Sequence, residues 1–223
     1  RLKWFSEGLE GFPLLVRLGN SQHPDFSLAT FADQENAGDL RIYDQDGNAL
    51  PFELDHWDEQ SGESTLWVRV NQVSPDLRLF CYWGNDGNVS LPNYRTNGSV
   101  WTSYDGVWHF SDYSDSSLGS HSAVAMGSPE TNQTGVSGYA LRLDGENDFL
   151  EIDNYNSLTG DQARSIEAWI QSEQNSSAIL GWGSAGNLWN FGWNNQGPFI
   201  VTDTRVAALV AISQRRAIRA GRC

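Results

Sequence analysis

Thr65-Leu66-Trp67-Val68-Arg69-Val70 carries an aliphatic residue at every second position, with Trp67 and Arg69 between them. That is the period of two expected of a half-buried β-strand, because successive side chains point to opposite faces. Working outward, the same kind of run recurs. Phe12-Pro13-Leu14-Leu15-Val16-Arg17-Leu18 breaks at Gly19-Asn20. Leu40-Arg41-Ile42-Tyr43 is followed by Asp44-Gln45-Asp46-Gly47-Asn48, a turn signal, and then by Leu50-Pro51-Phe52-Glu53-Leu54. Leu77-Arg78-Leu79-Phe80-Cys81-Tyr82-Trp83 ends at Gly84-Asn85. Short strands at this spacing, with no sustained helical period, predict an all-β chain of antiparallel sheets.

The polar stretch from Asn85 to Ser99 reads as a linker or long loop, and a second set of strands follows it. Its expected members are Gly106-Val107-Trp108-His109-Phe110, Tyr139-Ala140-Leu141-Arg142-Leu143, Phe149-Leu150-Glu151-Ile152 and Ser165-Ile166-Glu167-Ala168-Trp169-Ile170. Ala178-Ile179-Leu180-Gly181-Trp182 and Leu188-Trp189-Asn190-Phe191-Gly192-Trp193 complete the set. The last segment differs. Residues 205–223 are rich in Ala and Arg, contain no acid and read as a basic amphipathic helix, either a docking helix or a tail of non-native origin. The organisation expected is therefore 1–100, 101–204 and a separate tail, 205–223.

Composition excludes several classes. The 223 residues include 28 Asp or Glu against 14 Lys or Arg, a formal net charge of −14. Lys3 is the lone lysine, and Arg205, Arg215, Arg216, Arg219 and Arg222 all lie in the tail. Such a surface repels phosphate backbones, which argues against nucleic acid as a partner. No apolar run approaches the roughly 18 residues of a membrane span, so no membrane insertion is expected, and no secretory leader remains at Arg1. Cys81 sits in an apolar strand and Cys223 in the tail, which gives neither a disulfide framework nor zinc spacing.

Two resemblances cover most of the chain. Phe12 to Leu18, Gly38-Asp39-Leu40-Arg41-Ile42, Asp46 to Leu54, Trp57, Leu66 to Val70 and Tyr82-Trp83-Gly84-Asn85 resemble, in order, a bacterial domain of uncharacterised function found in large surface proteins. Gly106 to Phe110, Asp115-Ser116-Ser117, Gly138 to Gly145, Asp148 to Ile152 and Ser165 to Ile170 resemble the start of a laminin-G-like, concanavalin-A-like sandwich. The resemblances imply two antiparallel β-sandwich modules of jelly-roll or concanavalin-A-like type, the second lacking its later strands. They also imply an extracellular or cell-surface location and a place among other domains of a larger bacterial surface protein.

Three groups of residues are candidates for chemistry. Ten Trp exceed what core filling needs. Flat aromatic rings stack on the C–H faces of sugars while Asn, Asp and Gln bind hydroxyls, which marks Trp57, Trp182, Trp189, Trp193, Asn190 and Asn194 as ligand-binding candidates. Strand alternation puts Trp189 and Trp193 on one face, Asn190 and Asn194 on the other. Glu53, Asp55 and Asp58 crowd around Trp57. Glu53 and Asp55 would share a strand face about 7 Å apart, a separation at which two carboxylates can serve glycoside hydrolysis. Asp115, Asp144 and Asp148 lie in loops that the second resemblance would bring together, where hard oxygen ligands suit a structural calcium. The leading expectation is a non-catalytic polysaccharide-binding module needing no cofactor. A jelly-roll glycoside hydrolase and an adhesive or assembly module are the alternatives.

Overall fold

A computed structural model describes residues 9–19, 26–58, 62–87, 90–153, 155, 165–172, 176–184, 187–194 and 197–203. The tail, 205–223, lies outside the described residues. The fold is all-β and antiparallel throughout, with sandwich character, and its only helices are 3-10 turns among the described residues. The chain forms two compact units. The first comprises the chain up to Trp108 together with Asp115–Ser120, and the second His109–Ser114 together with the chain from His121 on.

In the first unit, β1 (Leu9–Leu18), β3 (Phe52–His56) and β4 (Ser64–Val73) form a sheet in the order β1-β4-β3. β4 is central, and its Leu66, Val68 and Val70 are fully buried, as the alternation predicts. A second ladder pairs β2 (Arg41–Tyr43) with β5 (Phe80–Tyr82). Ile42 on β2 joins Leu40, Leu50, Phe52 and the β4 residues in one hydrophobic core. Phe26, Phe31, Trp57 and Trp83 extend that core as an aromatic cluster. Phe31 stacks on Trp83 at 5.4 Å and meets Trp57 edge-on at 5.2 Å, and Phe26 meets Trp83 at 5.6 Å.

The stretch expected as a linker is built into this unit. It forms the short turn η1 (Asn93–Arg95), which buries Arg95, and leads into η2 (Ser99–Trp101), which buries Val100 and Trp101. Arg95 donates to the carbonyls of Asn36 and Ala37 and lies over the Phe52 ring at 5.2 Å. Burial lowers its guanidinium to about 10, so it stays charged at neutrality, its cost offset by these contacts.

Gly106 to Phe110 forms no strand, contrary to expectation. The backbone of Val107 bonds Asp115 Oδ1 and the Ser116 N–H instead of a ladder, and Phe110 has a φ of 61°. Asp115–Ser120 is thereby fixed to the first unit, and Gly98 makes the fit possible. Its φ is +77°, and an added Cβ would lie 2.7 Å from the Leu118 nitrogen and 2.9 Å from the Ser117 carbonyl carbon. Gly98→Ala should therefore lower stability by about 2–4 kcal/mol, from left-handed strain plus displacement of backbone. Gly47→Ala is the control, since Gly47 has φ +82° but open space around it. Thermal unfolding of both variants separates strain from seating, and equal losses would refute the seating.

The second unit contains β6 (Val124–Met126) paired with β9 (Phe149–Glu151), and β7 (Glu130–Thr134) paired with β8 (Tyr139–Arg142). β10 (Ser176–Ser184), β11 (Asn187–Asn194) and β12 (Gly197–Asp203) form a three-stranded sheet in that order. Ser165 to Ile170 alternates between exposed and half-buried positions but is not a strand, because it joins no ladder among the described residues. No helix among the described residues is long and apolar enough to cross a membrane.

Candidate functional site

The carboxylates of β3 come first. Glu53 accepts hydrogen bonds on both oxygens, from Trp101 Nε1 at 2.5 Å and from Ser116 Oγ at 2.6 Å. It ties β3 to η2 and to the 115–120 loop. The register of β3 against β4 shifts between Leu54 and His56. Asp55 is thus the extra residue of a bulge and lies buried, 7% exposed, so simple alternation does not pair it with Glu53. Asp58 is half-buried, and its backbone N–H donates to Ser64 Oγ while its carbonyl accepts from Gly62. Glycoside hydrolysis needs two carboxylates flanking a substrate cleft. Here Glu53 is held by structural bonds and Asp55 is buried.

The calcium candidates divide between the units. Asp115 packs with the first, accepting from the Val107 and Ser117 N–H groups on Oδ1 and from Ser117 Oγ on Oδ2. Asp144 and Asp148 belong to the second. Asp148 accepts from the Ser128 N–H at 2.6 Å and the Asp144 N–H at 3.0 Å. The N–H groups of Glu146, Asn147 and Asp148 converge on Asp144 Oδ1 and hold that carboxyl below its ordinary range, Glu146 contributing most. These carboxylates build turns. Among the described residues no group of three or more His, Cys, Asp or Glu is placed to hold a metal ion.

The aromatics also divide. Trp57 donates its indole N–H to the Gln34 carbonyl at 2.7 Å and packs on Phe31, which makes it part of the first unit's core edge. Trp67, Trp101 and Tyr104 form an edge-to-face chain at 5.2 and 5.3 Å, and the Glu53 bond ties Trp101 to β3.

The hairpin of β10 and β11 is different. Its register sets Trp182 opposite Trp189, Leu180 opposite Phe191 and Ser177 opposite Trp193, while Asn190 faces Gly181 and Asn194 faces Ser176. A bulge between Ala178 and Leu180 adjusts the ladder. Positions 182, 189, 191 and 193 therefore share one parity of the sheet, and 190 and 194 the other, as the alternation implies. Trp182, Phe191 and Asn194 are half-exposed. Asn190 is half-buried, and its Oδ1 is sealed from solvent without a hydrogen-bond partner among the described residues. The side chains of Trp189 and Trp193 lie outside the described part of the structure.

One surface escaped the sequence reading. On β5, Cys81 turns toward the core, leaving Phe80 and Tyr82 at 43% and 58% exposure. The run around them looks uniformly apolar, so only the pairing of β2 with β5 shows which members face out.

Residues 36–122 match a family described as a domain of unknown function (DUF2341). The matched segment extends past residue 100 and includes Asp115–Ser120, the loop that the first unit takes up. Neither the curated proteins nor the solved structures include a match to the chain.

Proposed function

We propose that the chain binds polysaccharide outside the cell, through the aromatic parity of the β10–β11 hairpin. The carrying observation is the register that sets Trp182 against Trp189, with Phe191 and the position of Trp193 on the same parity. Aromatic residues at successive positions of one sheet parity suit the repeat of a polysaccharide, whose C–H faces stack on aromatic surfaces. The resemblance of residues 106–204 to the start of a laminin-G-like, concanavalin-A-like sandwich supports the same reading, and the formal charge of −14 favours uncharged glycans over anionic ones.

Binding is non-catalytic on this reading. Glu53 is tied by Trp101 and Ser116, and Asp55 is buried, which supports binding without cleavage. The test is affinity electrophoresis through gels containing single polysaccharides, with reducing sugar measured in parallel. Trp182→Ala should weaken retention roughly tenfold on the polysaccharide that retards the parent chain. Unchanged retention in both Trp182→Ala and Trp189→Ala would remove the hairpin from consideration, and release of reducing ends would show an enzyme instead.

A further inference from the structure

A second, separate aromatic surface lies on the first unit. Cross-strand pairing sets Tyr82 opposite Arg41 and Phe80 opposite Tyr43, with Ile42 and Cys81 alternating toward the core. The outward face of this two-stranded ladder thus carries three aromatic rings and one guanidinium. Tyr82 and Phe80 are among the more exposed large apolar side chains described, and Tyr82 meets Tyr43 edge-to-face at 5.6 Å and 79°. The two rings thus stand nearly perpendicular to one another.

The chemistry of this corner narrows its occupant. The Arg41 guanidinium already donates to the carbonyls of Gly38, Leu40 and Ser90 at 2.8, 2.7 and 3.1 Å. It braces the ladder and is poorly placed to select an anion. A second copy of the chain is disfavoured by like charge, at a formal −14 per chain. Strand-edge pairing would also be short, because β5 has three residues. What remains suited to flat rings, phenol hydroxyls and little free charge is an uncharged ligand with apolar C–H faces and a rim of hydroxyls.

We propose that Tyr82, Phe80 and Tyr43 form a second glycan-stacking platform, taking an uncharged pyranose unit of a polysaccharide. The platform stands on different residues, in a different unit, from the hairpin surface, so either can fail alone. The test uses the full chain in affinity gels containing neutral β-glucan, xylan or galactomannan, with Tyr82→Ala, Phe80→Ala and Tyr82→Phe. Loss of one exposed ring should weaken retention roughly two- to tenfold, and Tyr82→Phe should retain most of it. Tyr82→Ala should melt like the parent chain, since Tyr82 is 58% exposed, and Phe80→Ala should keep the fold with a modest loss, since Phe80 is 43% exposed. Parental retention in both alanine variants would overturn the platform, even where Trp182→Ala has lost binding. So would the absence of retention of the parent chain on every polysaccharide. A concentration-dependent dimer in sedimentation, abolished by Tyr82→Ala, would also overturn it by showing that the face is a self-interface.

Discussion

Phe52→Ala should remove about 3–5 kcal/mol of unfolding free energy, the range for truncating a fully buried phenylalanine. Phe52 is 0% exposed and pairs across the ladder with Val68, itself 0% exposed. Its ring lies 5.7 Å from that of Tyr94 and supports the Arg95 guanidinium. The truncation therefore costs more than a cavity. It also takes away one of the contacts that make a buried cation tolerable, leaving Arg95 with the Asn36 and Ala37 carbonyls. Domains of this kind are stable by about 5–15 kcal/mol, so the loss is a large fraction of the whole. Urea unfolding followed by tryptophan fluorescence measures it. A loss below about 1 kcal/mol would mean that η1 does not pack on β3 as described.

The parts of the fold legible in the sequence are those where one face is apolar and the other is not. Leu66, Val68 and Val70 announce β4 because its two faces differ in chemistry. β7 carries no such contrast. Glu130-Thr131-Asn132-Gln133-Thr134 is polar throughout, with Asn132 at a φ of 57° and a register shift between Glu130 and Gln133. Its pairing with β8 holds it, and pairing is not written in hydropathy. Gly106 to Phe110 shows the reverse error, since an apolar run looks like a strand whether or not its N–H groups find a ladder. The stretch from Asn85 to Ser99 misleads for another reason. Its one arginine is buried by two carbonyls and a ring from distant segments, and nothing local signals that. Trp57 and Trp101 belong to packing, a fate that composition cannot separate from ligand contact. Each of these outcomes depends on contacts between residues far apart in the chain.

Asp39 offers the second large effect, in the segment that matches the family. Its carboxylate is 3% exposed and accepts three backbone N–H groups, from Ala32 at 3.0 Å, Gly84 at 2.5 Å and Asp33 at 3.2 Å. It thereby fastens the turn before β2 to the chain leaving β5. Burial acts to raise its pKa, but the N–H bonds together outweigh that and hold it below the ordinary 3.8. A carboxyl whose folded value is depressed stabilises the fold above its unfolded value. That stability is lost as pH falls through the lower folded value. Asp39→Ala should cost about 3–5 kcal/mol at neutral pH, because it strands three donors where water reaches poorly. Asp39→Asn should cost nearly as much, since one amide oxygen replaces two carboxylate oxygens and an NH2 group then faces an N–H. Both variants should also lose less stability than the parent chain between pH 5 and pH 2, roughly the window that an aspartate with a depressed folded value spans. Unfolding measured across that range gives a direct reading. If Asp39→Ala has the parent's acid slope, the carboxylate is not what joins the two strands, and the turn must be held by the neighbouring core alone.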